Sequence, residues 1–99
     1  MLGVVARVTR FEGRTPDAAG QQARAYGDLL PTLEGIEGFR GLILLGDPEQ
    51  GVGLAVSLWT TEEAAQASEA AAHFLREATT DDGESVASVE RFEVTLFHV

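Results

Sequence analysis

The sequence contains no cysteine, no lysine and no asparagine, and only one tryptophan, one tyrosine and one methionine among its 99 residues. Each absence closes off chemistry. Without cysteine there is no disulfide framework, thiolate nucleophile or Cys-based metal site, and the cytoplasm is the expected compartment. Without lysine there is no Schiff base, no pyridoxal attachment and no phosphate loop of the Walker type. Positive charge is scarce as well: seven basic residues, all Arg, face 16 acidic ones for a net charge of −9. Such a surface repels nucleic-acid phosphates and anionic lipid, so neither is an expected partner. No apolar run reaches the roughly 20 residues that a membrane-spanning helix needs. The opening "MLGVVARVTRF" is expected to lead into a strand rather than to act as a signal peptide.

What remains is an ordinary globular composition, 44% hydrophobic, read as a single domain over residues 1–99. From Gly3 to Glu12, Val4, Ala6 and Val8 fall on one face, and Val5, Arg7, Thr9 and Phe11 on the other. That is the period of a strand. Thr15 is a cap candidate with Pro16 at the first helical position. From Asp17 to Leu33 the period lengthens: Ala19, Ala23, Tyr26, Leu30 and Leu33 form the predicted buried stripe of a helix. Pro31 and the glycines after it are expected to end that helix.

Two strands, about Phe39 to Leu45 and Val52 to Trp59, flank "GDPEQG", a hairpin signal. In the second, Val52, Leu54, Val56 and Leu58 point one way, and Gly53, Ala55, Ser57 and Trp59 the other. Thr60 with Glu63 reads as a capping box for a second helix. Its predicted apolar stripe is Ala64, Ala67, Ser68, Ala71, Phe74, Leu75 and Ala78, with Glu62, Gln66, Glu69 and His73 opposite. After the polar loop "TTDDGES", one long last strand is expected from Val86 to Val99.

The order βαββαβ implies an α+β fold with one antiparallel sheet and both helices on one face. This reading leaves Phe11, Trp59, Phe97, Leu42 and Leu44 on the uncovered face, a patch that marks an interaction surface. A second copy of the chain, in a two-fold homodimer, is the simplest cover, and the long last strand suits an exchange between copies.

Trp59, at a strand end beside Gly53, Ala55 and Ser57, is either a packed residue whose N–H finds a carbonyl or the wall of a pocket left open by its small neighbours. Ser57 is a candidate polar contact in that space, with no base beside it to make it a nucleophile. Arg7 and Thr9 share a face with Phe11 and are candidate ligand contacts. The competing reading for Arg7, Arg91 and Glu93 is a cross-strand or intersubunit ion pair. Tyr26 reads as core, its hydroxyl within reach of a cleft. His73 falls on a solvated helix face and His98 beside Phe92, Val94 and Leu96. Two histidines without paired spacing make no metal site. "TTEE" and "TTDDGES" are helix-start and loop chemistry, and "GDPEQG" lacks calcium-loop spacing. No residue is assigned a catalytic role.

Three segments, "VVARVTRFEG", "GFRGLILLGD" and "LWTTEEAAQAS", resemble the antibiotic biosynthesis monooxygenase-like family of dimeric α/β barrels. The resemblance spans nearly the whole chain, and its most specific element is the strand-terminal Trp followed by "TTEEA". It implies a ferredoxin-like monomer, a homodimer whose two sheets form a barrel, and a cleft between sheet and helices or within the barrel. Members include cofactor-independent monooxygenases of polyketide quinones and haem-degrading enzymes. In the oxygenases the Trp matching Trp59 lines the cleft, often near an Asn; the preceding pair position on that face is here Ala55. Haem degraders add a second Trp and a His on the second helix, whose places fall at Ser68 and near Ala78, so haem degradation is not implied. The resulting expectation is a homodimer whose small apolar cleft binds a small aromatic compound through Trp59, Ser57, Arg7 and Thr9, with no cofactor and no metal. It is either a cofactor-independent oxygenase or a non-catalytic binding or structural dimer.

Overall fold

The alternating segments form strands as expected, and the strands join one sheet. The computed structural model describes residues 4–13, 17–71, 73 and 85–98. Its elements are β1 (Val5–Glu12), α1 (Ala18–Glu34), β2 (Phe39–Asp47), β3 (Val52–Trp59), α2 (Glu62–Ala67) and β4 (Ser85–Glu93). The strands lie in the order β2-β3-β1-β4, every pair antiparallel. Both helices pack on one face, giving the α+β, ferredoxin-like arrangement. The expected cap at Thr15 and Pro16, the Ala19 side chain, the loop over 79–84 and the stripe residues Phe74, Leu75 and Ala78 lie outside the described residues.

The helices cover the opposite face from the one expected. Arg7, Thr9, Phe11 and Trp59 are 2%, 4%, 0% and 2% exposed, and they lie beneath the helices. Ile43, Leu45 and Phe92 are 42%, 50% and 52% exposed on the other side, where β3 adds Leu54, Val56 and Leu58. The reason is volume. A helix brings its own side chains down onto the sheet, so the covered face of β3 has room only for Gly53, Ala55 and Ser57 around one large ring. The larger aliphatic residues are left on the face that no helix covers.

A bulge settles the orientation of β2. Phe39 pairs with Trp59 and Gly41 with Leu58, so Arg40 is the extra residue. One extra residue shifts the alternation by one position. Phe39, Leu42 and Leu44 therefore all join the Trp59 face, while Ile43 and Leu45 point away. The hairpin turn is closed by Asp47, whose Oδ1 accepts from the backbone N–H groups of Glu49 and Gln50 at 3.1 and 3.3 Å.

Helix α1 buries Gln22, Tyr26 and Leu33 and half-buries Leu29, while Ala23 and Leu30 face solvent. The stripe is thus rotated from the predicted one, and a buried amide takes the place of an alanine. Pro31 lies inside the helix, which runs on to Glu34 before Gly35 caps it. Losing one N–H near the end forfeits a single bond, so the helix survives.

Helix α2 starts one residue later than the predicted capping box. Thr61 is the cap, and its hydroxyl accepts from the Ala64 N–H at 3.0 Å. The helix closes at Ser68 after six residues; Ser68 is buried as predicted, while the shift turns Ala65 inward and Ala67 outward. β4 ends at Glu93 rather than at Val99: beyond it, Leu96 and Phe97 are 83% and 58% exposed.

The loop between α1 and β2 depends on one glycine. Gly38 has φ +84, and a Cβ there would lie 2.4 Å from the Ala64 Cβ and 2.9 Å from the Thr60 Oγ1. Its carbonyl accepts from the Thr60 N–H at 2.8 Å, so the backbone cannot back away freely. Gly38→Ala is expected to lower stability by about 2 kcal/mol, from left-handed strain together with the clash. The change should appear as a lower denaturant midpoint at constant slope. An unshifted midpoint would show that the loop does not pack this way.

Candidate functional site

The covered face carries more than packing. β1 projects Arg7 and Thr9 towards the helices, and β3 projects Ala55, Ser57 and Trp59 beside them; Arg7 is directly opposite Ser57 in the register and Thr9 opposite Ala55. Because Ala55 and Ser57 are small, the helices do not close down on the sheet, and a cavity remains. Its walls are Trp59, Phe39 and Leu42 from the sheet and Tyr26 and Leu33 from α1, with Ser68 on the α2 side. Its unfilled space is about 470 Å³, open solvent at the mouth included. The site is a slot lined mainly by apolar atoms, as small-molecule sites are.

Trp59 is fixed from three sides. Phe39 meets it edge-on with ring centroids 5.5 Å apart, its Nε1 donates to Ser57 Oγ at 2.9 Å, and Arg7 Cζ lies 5.4 Å from its ring centroid. It packs into the core with Val5 and Ala65 between sheet and helices, its N–H finding the Ser57 hydroxyl rather than a carbonyl, and it also lines the cavity.

Arg7 is the site's polar centre. Its Nη2 donates to the Ala65 carbonyl and, at 2.8 Å, to Ser68 Oγ, while Glu69 Oε2 approaches its Nε to 3.0 Å. Ser68 Oγ itself donates to the Ala65 carbonyl at 2.8 Å. The Arg7 side chain is 3% exposed and that of Glu69 is 47% exposed. A buried guanidinium is thus held by α2, with its carboxylate partner half in solvent. Arg is suited to this position, because its planar fork serves several acceptors and its face stacks on an indole.

In place of the expected cross-strand pairing, Arg7 meets Glu69 just beyond α2, and Arg91 pairs with Glu62 at the start of that helix at 3.0 Å. His73 and His98 are exposed, and among the described residues no group of three potential metal ligands occurs. Among the described residues no helix is long and apolar enough to cross a membrane.

Compared by sequence, the chain matches no family model and no curated protein. Solved structures do match it. A Bordetella bronchiseptica protein provisionally named an antibiotic biosynthesis monooxygenase superposes with a TM-score of 0.72 at 14% identity, covering 95% of this chain and 99% of its own. SnoaB, a cofactor-independent oxygenase from Streptomyces nogalater, gives 0.68 at 20% identity with 96% of each chain covered. A monooxygenase from Streptomyces coelicolor, the product of ActVA-Orf6, was solved with the ligand nanaomycin D. It gives 0.67 at 17% identity, covering 99% of this chain and 90% of its own. The fold is that of the antibiotic biosynthesis monooxygenase-like proteins.

Within this monooxygenase-like fold, the four residues singled out from the sequence, Trp59, Ser57, Arg7 and Thr9, line a single cavity. Tyr26 lines it too. Of the partners that hold Arg7, Ser68 falls on the predicted inner stripe, while Glu69 and the Ala65 carbonyl escape a sequence reading. They lie 58 to 62 positions away, and the predicted wheel turns Glu69 away from the sheet. A break in the helix at Ser68 brings Ser68 and Glu69 to Arg7, and no local sequence signal marks that break.

Proposed function

We propose that the protein binds a small aromatic compound in the slot beneath its helices, with the ring against Trp59 and the polar groups near Ser57, Arg7 and Thr9. The observation that carries this reading is the cavity itself. A strand-end indole, held edge-on by Phe39 and tied to Ser57, forms a rigid flat wall beside unfilled space. The chemistry such a slot supports best is oxygenation without a cofactor. An electron-rich phenol reacts with O₂ so that one oxygen atom enters the ring and the other leaves as water, and the phenol itself supplies all four electrons. The protein then needs only to orient the ring, exclude water and stabilise the negative charge of the reacting phenolate. SnoaB is a cofactor-independent oxygenase, and its fold is shared here.

The working unit is a cytoplasmic homodimer. Its interface is the outer face of the sheet, where Ile43, Leu45 and Phe92 form an uncovered apolar patch of the kind a second sheet buries. Sedimentation at micromolar protein should find a dimer; a well-folded monomer would remove this part of the proposal.

A second reading, binding without turnover, is favoured by one feature. The polar groups at the slot already satisfy one another, Trp59 with Ser57 and Arg7 with Ser68, and the sequence holds no asparagine to act among them. Two measurements separate the readings. A panel of hydroxylated naphthalenes should shift the single indole N–H signal in a ¹H–¹⁵N spectrum, and oxygenation should consume O₂ in step with quinone formation. Shifts without O₂ uptake would identify a binding protein. No shift with any compound would remove the slot from both readings.

A further inference from the structure

The slot has an electrostatic asymmetry that narrows its ligand class. Arg7 is the sole cation among the described residues lining it, and its neighbours there are apolar or uncharged. The balancing carboxylate, Glu69, does not line the slot: it lies with Gln66, Val89 and Arg91 along an outer groove between α2 and β4. Arg7 thus meets a half-solvated carboxylate at its Nε, while its Cζ lies 5.4 Å from the Trp59 ring centroid and the residue lines the mainly apolar slot.

Resting on the aromatic-binding reading above, we infer that the slot selects aromatic anions, carboxylates or ionised phenols, over their neutral counterparts, and that Glu69 sets the strength of that preference from outside. The physical basis is the difference in screening between the two sides. Glu69 is half exposed, so water and salt weaken its hold on Arg7. An anion brought into the slot loses its water but meets the same guanidinium through an apolar medium, where attraction is stronger. The two carboxylates never occupy the same place. They share one cation, so neutralising the outer one strengthens the pull on the inner one. The indole wall supplies the aromatic part of the preference.

The test uses the intact protein, 2-naphthoate and its uncharged isostere 2-naphthamide, with affinity from calorimetry and location from the Trp59 indole signal. The naphthoate is expected to bind about tenfold more tightly, the usual margin of a charge-assisted contact over a neutral one. Glu69→Gln is expected to raise naphthoate affinity by about two- to fivefold, the range of a half-exposed charge, and to leave naphthamide unchanged. Arg7→Met should bring the two ligands to equal affinity. Because Glu69 is half exposed, Glu69→Gln keeps the fold and decides the matter even if Arg7→Met does not fold. Equal binding of both ligands to the unaltered protein, or a Glu69→Gln variant that leaves naphthoate affinity unchanged, overturns the charge selection while the aromatic slot stands. Failure of both ligands to bind or to move the indole signal removes the aromatic slot, and the inference with it.

Discussion

Trp59→Ala is expected to lower stability by about 3 kcal/mol, or roughly 12–24 °C in Tm for a domain of this length. The side chain is 2% exposed and forms the core with Val5 and Ala65. Its removal strips the edge-on contact from Phe39, the cationic contact from Arg7 and the donor from Ser57 Oγ in one step. Because a cavity already lies beside it, the enlarged space admits water, and the cost stays near the lower end for an aromatic truncation. Trp59→Phe keeps the ring contacts and loses the hydrogen bond to Ser57, at about 1 kcal/mol. Far-UV circular dichroism in urea reads both variants without needing the indole. A Trp59→Ala variant that unfolds within about 1 kcal/mol of the parent would show that the ring is not a structural wall, and the slot would lose its defining surface.

Arg7 produces the second large effect, and here two substitutions at the same position should diverge. Arg7→Ala is expected to cost about 2–3 kcal/mol, because it opens a void under α2 and removes the guanidinium donor from Ser68 Oγ and the Ala65 carbonyl, which keeps only the Ser68 hydroxyl as a side-chain donor. Arg7→Met refills most of that void with an unbranched apolar chain and should recover much of the loss, leaving a deficit under about 1.5 kcal/mol. Glu69 keeps contact with water in either variant, since its side chain is 47% exposed. The contrast decides what the charge is for. Buried ion pairs are often no more stabilising than apolar residues of similar volume. If Arg7→Met is nearly as stable as the parent, the guanidinium serves the slot rather than the fold. If both variants fall equally, the hydrogen bonds to α2 are what the fold requires.

These effects meet at one junction. Gly38 lets the α1–β2 loop lie against Ala64 and Thr60, Thr61 fixes where α2 begins, and α2 then carries Ala65, Ser68 and Glu69 over Arg7. A change at any of these steps moves the roof of the slot relative to Trp59. The interval between Gly38 and Glu69 is therefore the part of the chain where stability and binding should be most tightly coupled, and Gly38→Ala should weaken ligand affinity as well as folding.

Much of this was legible in the residues. The hairpin through "GDPEQG" and the length of β3 follow from turn chemistry and period-2 alternation, which act over a few residues. The grouping of Arg7, Thr9, Ser57 and Trp59 also follows from alternation, given antiparallel pairing of β1 with β3. What failed were the phases of both helices. The predicted stripe of α1 admitted Ala23 and Leu30 because they are apolar, but burial took Gln22 and Leu29. In α2 a cap one residue later and a break at Ser68 rotated Glu69 towards the sheet. A wheel drawn on an alanine-rich segment has almost no hydrophobic contrast to fix its angle.

The sequence by itself determined the order of elements, the α+β class and the set of residues sharing a strand face with Trp59, because each rests on short-range periodicity and turn residues. Only the tertiary structure decided which face of the sheet the helices cover. Alternation shows that the two faces differ, and it reads the same whichever face is buried. The larger aliphatic face looked like the interior, yet helices bring their own bulk and need the face of small residues. Only the folded chain could give the extra residue at Arg40 that turns Phe39 onto Trp59, or bring Glu69 to Arg7. Both depend on groups far apart in sequence, whose meeting is fixed by packing and by no local preference.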